Sequence, residues 1–170
     1  AANEAILRAK TPGEIFERAC GIGVEAGGFQ IGTVFVMDPR TAAPSRAAAS
    51  GPAAALVGHL VPPVDERNGS RGALIGEACR TGRPAISNDY QNDPRTADRR
   101  SLISSYPVGS AAVFPLYVEG RLAAVFGLQH AERNAFSAEL TGLLQRLADD
   151  ISFALENLQR DDRLLDSEAR

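Results

Sequence analysis

The chain has 170 residues, of which 44% are hydrophobic and 23% are charged, and its formal net charge is −3 at pH 7. This length suits one domain with a buried core, and the composition is ordinary for a soluble globular protein. No basic stripe with interleaved aromatic residues is present, which disfavours nucleic-acid binding. No apolar run reaches the roughly 20 residues that span a bilayer.

Cysteine usage indicates a reducing compartment. Cys20 and Cys79 lie far apart, on predicted helices and among apolar neighbours, which is typical of buried structural thiols and gives no disulfide framework. No signal peptide is visible, so we expect a cytoplasmic protein. The one methionine, Met37, falls inside a predicted strand. We therefore also expect this sequence to be a domain of a longer protein.

The N-terminal part predicts two helices and a pair of strands. Residues 4–10 form a short helical segment. A capping threonine, a proline at the first helical position and a carboxylate three residues after the cap start a second helix at Thr11. Gly27-Gly28 ends this helix. Residues 29–37 are a β-branched and aromatic strand, and residues 46–50 can pair back antiparallel to it.

The middle of the chain predicts short elements and a long polar excursion. Residues 53–60 form a short helix, and a second helix capped by Ser70 runs through Cys79. Residues 85–87 form a short strand. Residues 88–106 are polar and hold one helix, around residues 97–104. The excursion also contains an arginine patch, which we interpret as a solvated loop able to contact an anion: Arg95, Arg99 and Arg100.

The C-terminal part predicts a hairpin and one long helix. Apolar strands at residues 111–118 and 122–129 are joined by a tight turn at Glu119-Gly120. Ser137 caps the last helix, and Glu139 in its first turn favours the positive end of the helix dipole. The order of elements predicts an α+β sandwich around one antiparallel sheet.

Several ordered blocks of this sequence resemble the GAF domain family. The resemblance covers the chain from about Thr11 to Asn157, and its final block is also similar to GAF modules set before cyclic-di-GMP synthesis or hydrolysis domains and before histidine kinases. The blocks are Arg80-Thr81-Gly82-Arg83-Pro84, Ala85-Ile86-Ser87-Asn88-Asp89, Gly109-Ser110, Phe114-Pro115-Leu116, Gly120-Arg121-Leu122, Phe136 with Glu139, and residues 143–157.

The resemblance implies a GAF-like (PAS-like) α/β/α sandwich. Its central antiparallel sheet would have five to six strands, with the terminal helices on one face and a ligand pocket on the other. The implied role is regulatory: the domain binds a small ligand, dimerises and controls an attached output domain, such as a cyclic-di-GMP enzyme or a kinase. Residues 1–160 would form the sensory domain, and residues 161–170 would begin the linker to the output domain.

Candidate ligand contacts are polar residues at strand ends and apolar residues within strands. Alternate strand residues face opposite sides of a sheet, and the sequence does not tell which parity faces the pocket. For Asp89, the alternative is a turn carboxylate satisfied by backbone amides. For His130, it is the partly exposed polar end of an apolar strand. The candidates are Phe35, Ile75, Asn88, Asp89, Tyr106, Ser110, Val113, Phe126 and His130.

The cofactor stays unknown, because no motif for one is found. The cyclic-nucleotide signature of the family needs Asn-Lys after the last strand, where this chain has Gln129-His130. No cysteine has the neighbouring histidine common at bilin attachment sites, and two scattered histidines make no haem or metal motif. We expect no enzyme. The alternative is a small thiol-dependent redox enzyme using Cys79.

The last helix predicts a homodimer. Its apolar residues recur at alternating steps of four and three, which is typical of a coiled-coil seam. Leu143 and Leu155 lie beside this seam and would cover the sheet. The alternative for this helix is one broad stripe packed wholly on its own domain. For the function, the alternative is a ligand-free scaffold that contributes only dimerisation. The predicted interface, which includes the N-terminal helix, consists of Ile6, Leu140, Leu144, Leu147, Ile151, Ala154 and Leu158.

Overall fold

The computed structural model describes residues 2–41, 44–57, 74–97 and 107–168. Two short 3-10 turns, Tyr90–Asn92 and Pro94–Thr96, follow the third strand. The helices are α1 (Ala2–Leu7), α2 (Pro12–Gly27), α3 (Ala54–Val57), α4 (Leu74–Thr81) and α5 (Ala138–Glu168). The strands are β1 (Ile31–Met37), β2 (Pro44–Ser50), β3 (Ala85–Ser87), β4 (Ser110–Val118) and β5 (Arg121–His130).

Within the described ranges, one antiparallel sheet of five strands has the order β2-β1-β5-β4-β3. The hairpin of β4 and β5 turns at Glu119 and Gly120, whose φ angles are 53° and 79°. Positive φ at both central residues is the geometry that matches the twist of hairpin strands. The prediction of an α+β sandwich with a central antiparallel sheet of five to six strands is confirmed.

Local signals set the helix ends as predicted. The Glu14 N–H donates to Thr11 Oγ1 at 3.2 Å, and the Lys10 N–H donates back to the Glu14 carboxylate at 2.9 Å. Gly28 ends α2 in the left-handed conformation, at a φ of 66°. At the start of α5, the Leu140 N–H donates to Ser137 Oγ at 3.1 Å. Each of these partners lies within four residues along the chain.

The terminal helices α1, α2 and α5 cover one face of the sheet and bury a first apolar cluster, which we call the helix-side layer. It contains five of the seven phenylalanines of the chain. Gly23 of α2 allows close packing here, since a Cβ at that position would lie 2.9 Å from the Phe126 ring. Large members of this layer are Phe16, Phe29, Phe114, Phe126, Phe136, Leu128, Leu144 and Ile151.

The opposite face carries a second, separate cluster, which we call the roof-side layer. Strand alternation divides the two layers: Val113 and Val125 belong to the roof side, while their neighbours Phe114 and Phe126 belong to the helix side. The buried members of the roof-side layer are Ile31, Phe35, Met37, Ala53, Leu74, Ala78, Ala85, Tyr90, Val108, Ala111, Val113 and Val125.

The predicted dimer seam lies inside the domain, which corrects the interface prediction. Ile151 is fully buried in the helix-side layer, whereas Leu143, which was expected to cover the sheet, is 49% exposed. A single apolar stripe on a helix packs on the nearest apolar surface, and here that surface is the sheet of the same chain. All seven residues of the predicted interface are buried in or packed against the helix-side layer: Ile6, Leu140, Leu144, Leu147, Ile151, Ala154 and Leu158.

Some predictions lie outside the described residues. These are Tyr106, the cap at Ser70, residues 58–60 of the short helix and residues 98–104 of the polar excursion. The N-terminal helix is shorter than predicted, because α1 ends at Leu7. The division of the chain at residue 160 stays a prediction; α5 continues through it to Glu168.

Candidate functional site

Three of the nine candidate residues lie together on the roof side of the sheet. Phe35 on β1 and Val113 on β4 are buried there, and Ile75 of α4 is partly buried and packs against the same cluster. Val125 on β5 lies between them in the sheet and shares the same layer. A mostly apolar face with few polar groups is what small-molecule sites usually present.

Phe126 lies on the wrong face for a pocket wall. It is fully buried in the helix-side layer, where its ring centroid is 6.5 Å from that of Phe114. The cause is strand alternation: Val125 faces the roof, so its neighbour faces the helices. The nine candidates therefore do not line one pocket.

Asn88 makes a fixed structural contact where a ligand contact was predicted. Its Nδ2 donates to the Phe136 carbonyl at 3.1 Å, and its Oδ1 accepts the Phe136 N–H at 3.0 Å. Both ends of the side-chain amide are thus engaged by one residue, 48 positions away. This correction could not be read from the sequence, because Phe136 is remote along the chain.

Ser110 and His130 also serve the segment that joins β5 to α5. Ser110 Oγ donates to the Glu132 carbonyl at 2.7 Å, and His130 Nδ1 accepts the Glu132 N–H at 2.9 Å. The His130 ring meets Phe29 of the helix-side layer edge to face, with 5.7 Å between centroids. These two candidates therefore lie on the helix side, away from Phe35 and Val113.

Asp89 takes part in the turn that follows β3. Both of its carboxylate oxygens accept the Asn92 side-chain amide at 3.1 Å. From its sequence context, Asp89 is either a turn carboxylate with backbone donors or a ligand contact. In the structure Asp89 is a turn carboxylate, and its donor is the Asn92 side chain instead of a backbone N–H. Tyr106 lies outside the described residues.

A polar cluster, which was not predicted from the sequence, bonds α4 to the sheet. We call it the Arg95 cluster, and it joins Arg95 to Glu77, Asp93 and the Ile86 carbonyl. The guanidinium donates to Glu77 and to Asp93, each at 2.6 Å, and to the Ile86 carbonyl at 2.7 Å. It therefore ties α4 and the second 3-10 turn to the edge strand β3.

The prediction that Arg95 belongs to a solvated patch is therefore wrong. Arg99 and Arg100 lie outside the described residues. The Asp93-Pro94 pair did carry a usable signal. An aspartate before a proline favours a turn in which the carboxylate accepts a backbone N–H. Here the Arg95 N–H donates to Asp93 Oδ1 at 2.9 Å.

The electrostatics of the Arg95 cluster favour the ionised pair. The hydrogen bonds from Arg95 hold the pKa of Asp93 well below its ordinary value, outweighing the opposing effect of burial. The nearby Ser87 hydroxyl contributes to the same direction. Ser87 is 1% exposed, and among the described residues its Oγ reaches no hydrogen-bond geometry with any partner.

The two cysteines differ in their surroundings. Cys20 is buried in the helix-side layer, and burial, with a smaller effect of Glu17, raises the pKa of its thiol to about 12. A thiol with this pKa carries almost no thiolate at neutral pH and is a poor nucleophile. Cys79 is partly buried and packs against the roof-side layer.

The fold and this two-sided sheet have a clear family assignment. The family model described as "GAF domain" matches residues 9–156, which is most of the chain. The chain therefore belongs to the GAF domain family, whose members are generally sensory or regulatory domains of signalling proteins. No curated protein matches the sequence.

Solved structures of low sequence identity share the fold. The GAF domain of an Acinetobacter phosphoenolpyruvate-protein phosphotransferase has a TM-score of 0.74 at 15% identity, over 94% of this chain and 90% of that one. Free methionine-R-sulfoxide reductase from Neisseria meningitidis has a TM-score of 0.72 at 18% sequence identity, and the match covers 95% of this chain and 87% of that one. A domain of a putative two-component sensor histidine kinase from Sinorhizobium meliloti has a TM-score of 0.62 at 16% sequence identity, and the match covers 89% of this chain and 94% of that one.

The described residues contain neither a metal-binding cluster nor a membrane-spanning helix. No group of three or more histidine, cysteine or acidic side chains in these ranges is placed to hold a metal ion. None of the helices described in the structure has the length and apolar character needed to cross a membrane.

We expect Asp93→Asn to reduce stability in a pH-dependent way. At pH 7 the variant loses one of the two carboxylate partners of Arg95, while Glu77 remains, and the free energy of unfolding should fall by about 1–3 kcal/mol. Because the pKa of Asp93 is lowered on folding, its contribution is complete above the ordinary value of 3.8 and is lost as the pH falls below it. Urea unfolding from pH 7 to 3 measures this.

The same substitution in an Arg95→Met background is the control. There the Asp93→Asn effect should shrink, because the partner of the carboxylate is already gone. A difference between parent and Asp93→Asn that stays constant from pH 7 to 3 would contradict the role given to this ion pair.

Proposed function

We propose that this GAF domain binds a small molecule on the roof side of its sheet and thereby regulates an output domain attached after α5. The observation that carries the proposal is the division of one sheet into two unequal layers. The helix-side layer is filled by five phenylalanines and the terminal helices. Among the described residues, the roof-side layer has 12 buried members, against 22 in the helix-side layer.

In this proposal, the roof-side layer is the apolar surface that a ligand would contact. Four of the twelve buried members are alanines, namely Ala53, Ala78, Ala85 and Ala111. Phe35 and Tyr90 are the aromatic members. Such a layer suits an apolar ligand body, while the buried Ser87 hydroxyl offers a hydrogen bond at its margin.

The proposed output is reached through α5. This helix runs 31 residues without interruption, and residues 159–166 are exposed. Leu164 and Leu165 are each more than 60% exposed there. A histidine kinase or a cyclic-di-GMP enzyme in the cytoplasm is the output we favour, and the similar fold of the sensor-kinase domain supports the first.

A homodimer formed near the α1–α5 groove is part of the proposal. A groove of about 480 Å³ lies between α1 and the C-terminal half of α5, and Leu7, Leu158 and Leu165 are its leucines. Leu7 is half exposed on the α1 side. This location replaces the predicted seam, most of whose residues are used inside the domain.

The non-catalytic role is supported by the thiols. Cys20 is buried with a raised pKa, and Cys79 lies in a different layer of the fold, so the two do not form a dithiol site. The alternative from the same family is a scaffold that binds no ligand and contributes dimerisation alone.

We expect at least one small molecule to stabilise the folded domain. A ligand present at 100 times its Kd adds about 2.7 kcal/mol, which raises the melting temperature by about 5–10 °C for a domain of this size. A thermal-shift screen, with native mass spectrometry for a co-purified molecule, measures this. Val113→Phe, which fills the roof-side layer, should abolish the shift.

The matched control is Val118→Phe on the same strand, because Val118 packs against the helix-side layer. A ligand should still raise the melting temperature of this variant above the value measured for the same variant without ligand. If no compound raises the melting temperature of the parent and no bound molecule is found, the ligand-free scaffold is the correct reading.

We expect Leu165→Glu to dissociate the dimer. The residue is 65% exposed, so the substitution should leave the fold intact while placing a charge in the α1–α5 groove. Sedimentation velocity should show a dimer for the parent and a monomer for the variant.

Phe153→Glu is the control for the dimer. Phe153 is also exposed on α5 but lies about 120° around the helix from Leu165, so the dimer should persist. A monomeric parent, or a Leu165→Glu variant that remains dimeric, would remove dimerisation through this groove from the proposal.

A further inference from the structure

The segment that joins β5 to α5 is fastened to the exit of β3. The two hydrogen bonds between the Asn88 side chain and the Phe136 backbone are accompanied by a third, in which the Asn134 N–H donates to the Asn88 carbonyl at 2.9 Å. Asn134 has a positive φ of 61°, so the chain adopts an uncommon conformation at this contact. Asn88 thus holds two residues of the connection into α5.

The same segment is fastened to the entry of β4. The Gly109 N–H donates to the His130 carbonyl at 2.8 Å, and Ser110 Oγ donates to the Glu132 carbonyl. Gly109 lies directly against the backbone of residues 131–133, where a Cβ would collide with main-chain atoms. Both ends of the β3–β4 connection are therefore bonded to the lead-in of α5.

This contact joins the two apolar layers of the domain. Tyr90, two residues after Asn88, is buried in the roof-side layer, and its N–H donates to the Gly109 carbonyl at 2.9 Å. Phe136 is buried in the helix-side layer and stacks on Phe29, with 5.3 Å between ring centroids. The next residue, Ser137, caps α5.

We propose that Asn88 couples the roof-side segment around Tyr90 to the first turn of α5. The inference builds on the proposed function, because it assigns the route by which a change at the roof-side layer reaches the output helix. Asparagine suits the role chemically, since one side chain supplies both the acceptor for the N–H and the donor for the carbonyl of a single residue. A displacement of Tyr90 pulls on Asn88, which holds the peptide groups on both sides of Phe136.

The coupling is tested by hydrogen exchange with neither ligand nor dimer required. Four hydrogen-bonded amides report on the two ends: Tyr90 and Thr96 at the roof, and Leu140 and Thr141 in the first turn of α5. Val113→Ala perturbs the roof-side layer. Amides of β5 that exchange only through global unfolding correct for the overall loss of stability.

With Asn88 present, Val113→Ala should accelerate exchange at Tyr90 and at Leu140 by similar factors, on the order of tenfold, after that correction. In an Asn88→Ser background the acceleration at Tyr90 should persist, while that at Leu140 should fall to less than about twofold. A merely structural role would raise exchange near Leu140 without changing its response to Val113→Ala.

Two further variants complete the experiment. Asn92→Ser is the matched control, because the Asn92 side chain bonds to Asp89 within the same turn, and the coupled response should survive. Asn88→Asp keeps the acceptor for the Phe136 N–H but loses the donor to its carbonyl, and should uncouple like serine. An unchanged Leu140 response in Asn88→Ser, or no Leu140 response in the parent, would overturn the proposal and leave the ligand screen unaffected.

Discussion

The packing of the α5 stripe on the sheet is the interaction on which the rest of the structure depends. Leu144, Leu147, Ile151 and Leu155 are all buried in the helix-side layer, where α5 packs on the sheet and on α1 and α2. Full burial of a leucine or isoleucine contributes about 1.5–3 kcal/mol, so the stripe is a large share of the stability of a domain. It also commits one face of the sheet to the terminal helices, which leaves the other face to the roof-side layer.

Strand alternation places neighbouring residues of each strand in opposite apolar layers. Once Phe114 and Phe126 face the helices, Val113 and Val125 must face the roof. The roof is then held by the Arg95 cluster, and the lead-in to α5 is held by Asn88. The proposed regulation requires a contact between the two layers. The Asn88–Phe136 hydrogen bonds are such a contact.

Features with short-range causes could be predicted from the sequence, and features with long-range causes could not. The Thr11 and Ser137 caps and the Glu119-Gly120 turn have their partners within a few residues, so the pattern of residues contains the whole cause. Asn88 and Phe136 are 48 residues apart, and no local pattern joins them. The periodicity of α5 is equally typical of a dimer seam and of a stripe on the domain itself, because both need the same spacing. Only the position of the sheet decides between them.

Urea unfolding of Ile151→Ala beside Leu143→Ala is the most direct measurement of the α5 packing. Ile151 is fully buried against the sheet and Leu143 is half exposed. We expect Ile151→Ala to lower the free energy of unfolding by about 2–5 kcal/mol, and Leu143→Ala to change it by less than about 0.5 kcal/mol. The reverse order, or an Ile151→Ala loss that appears only at concentrations where a dimer forms, would contradict the account.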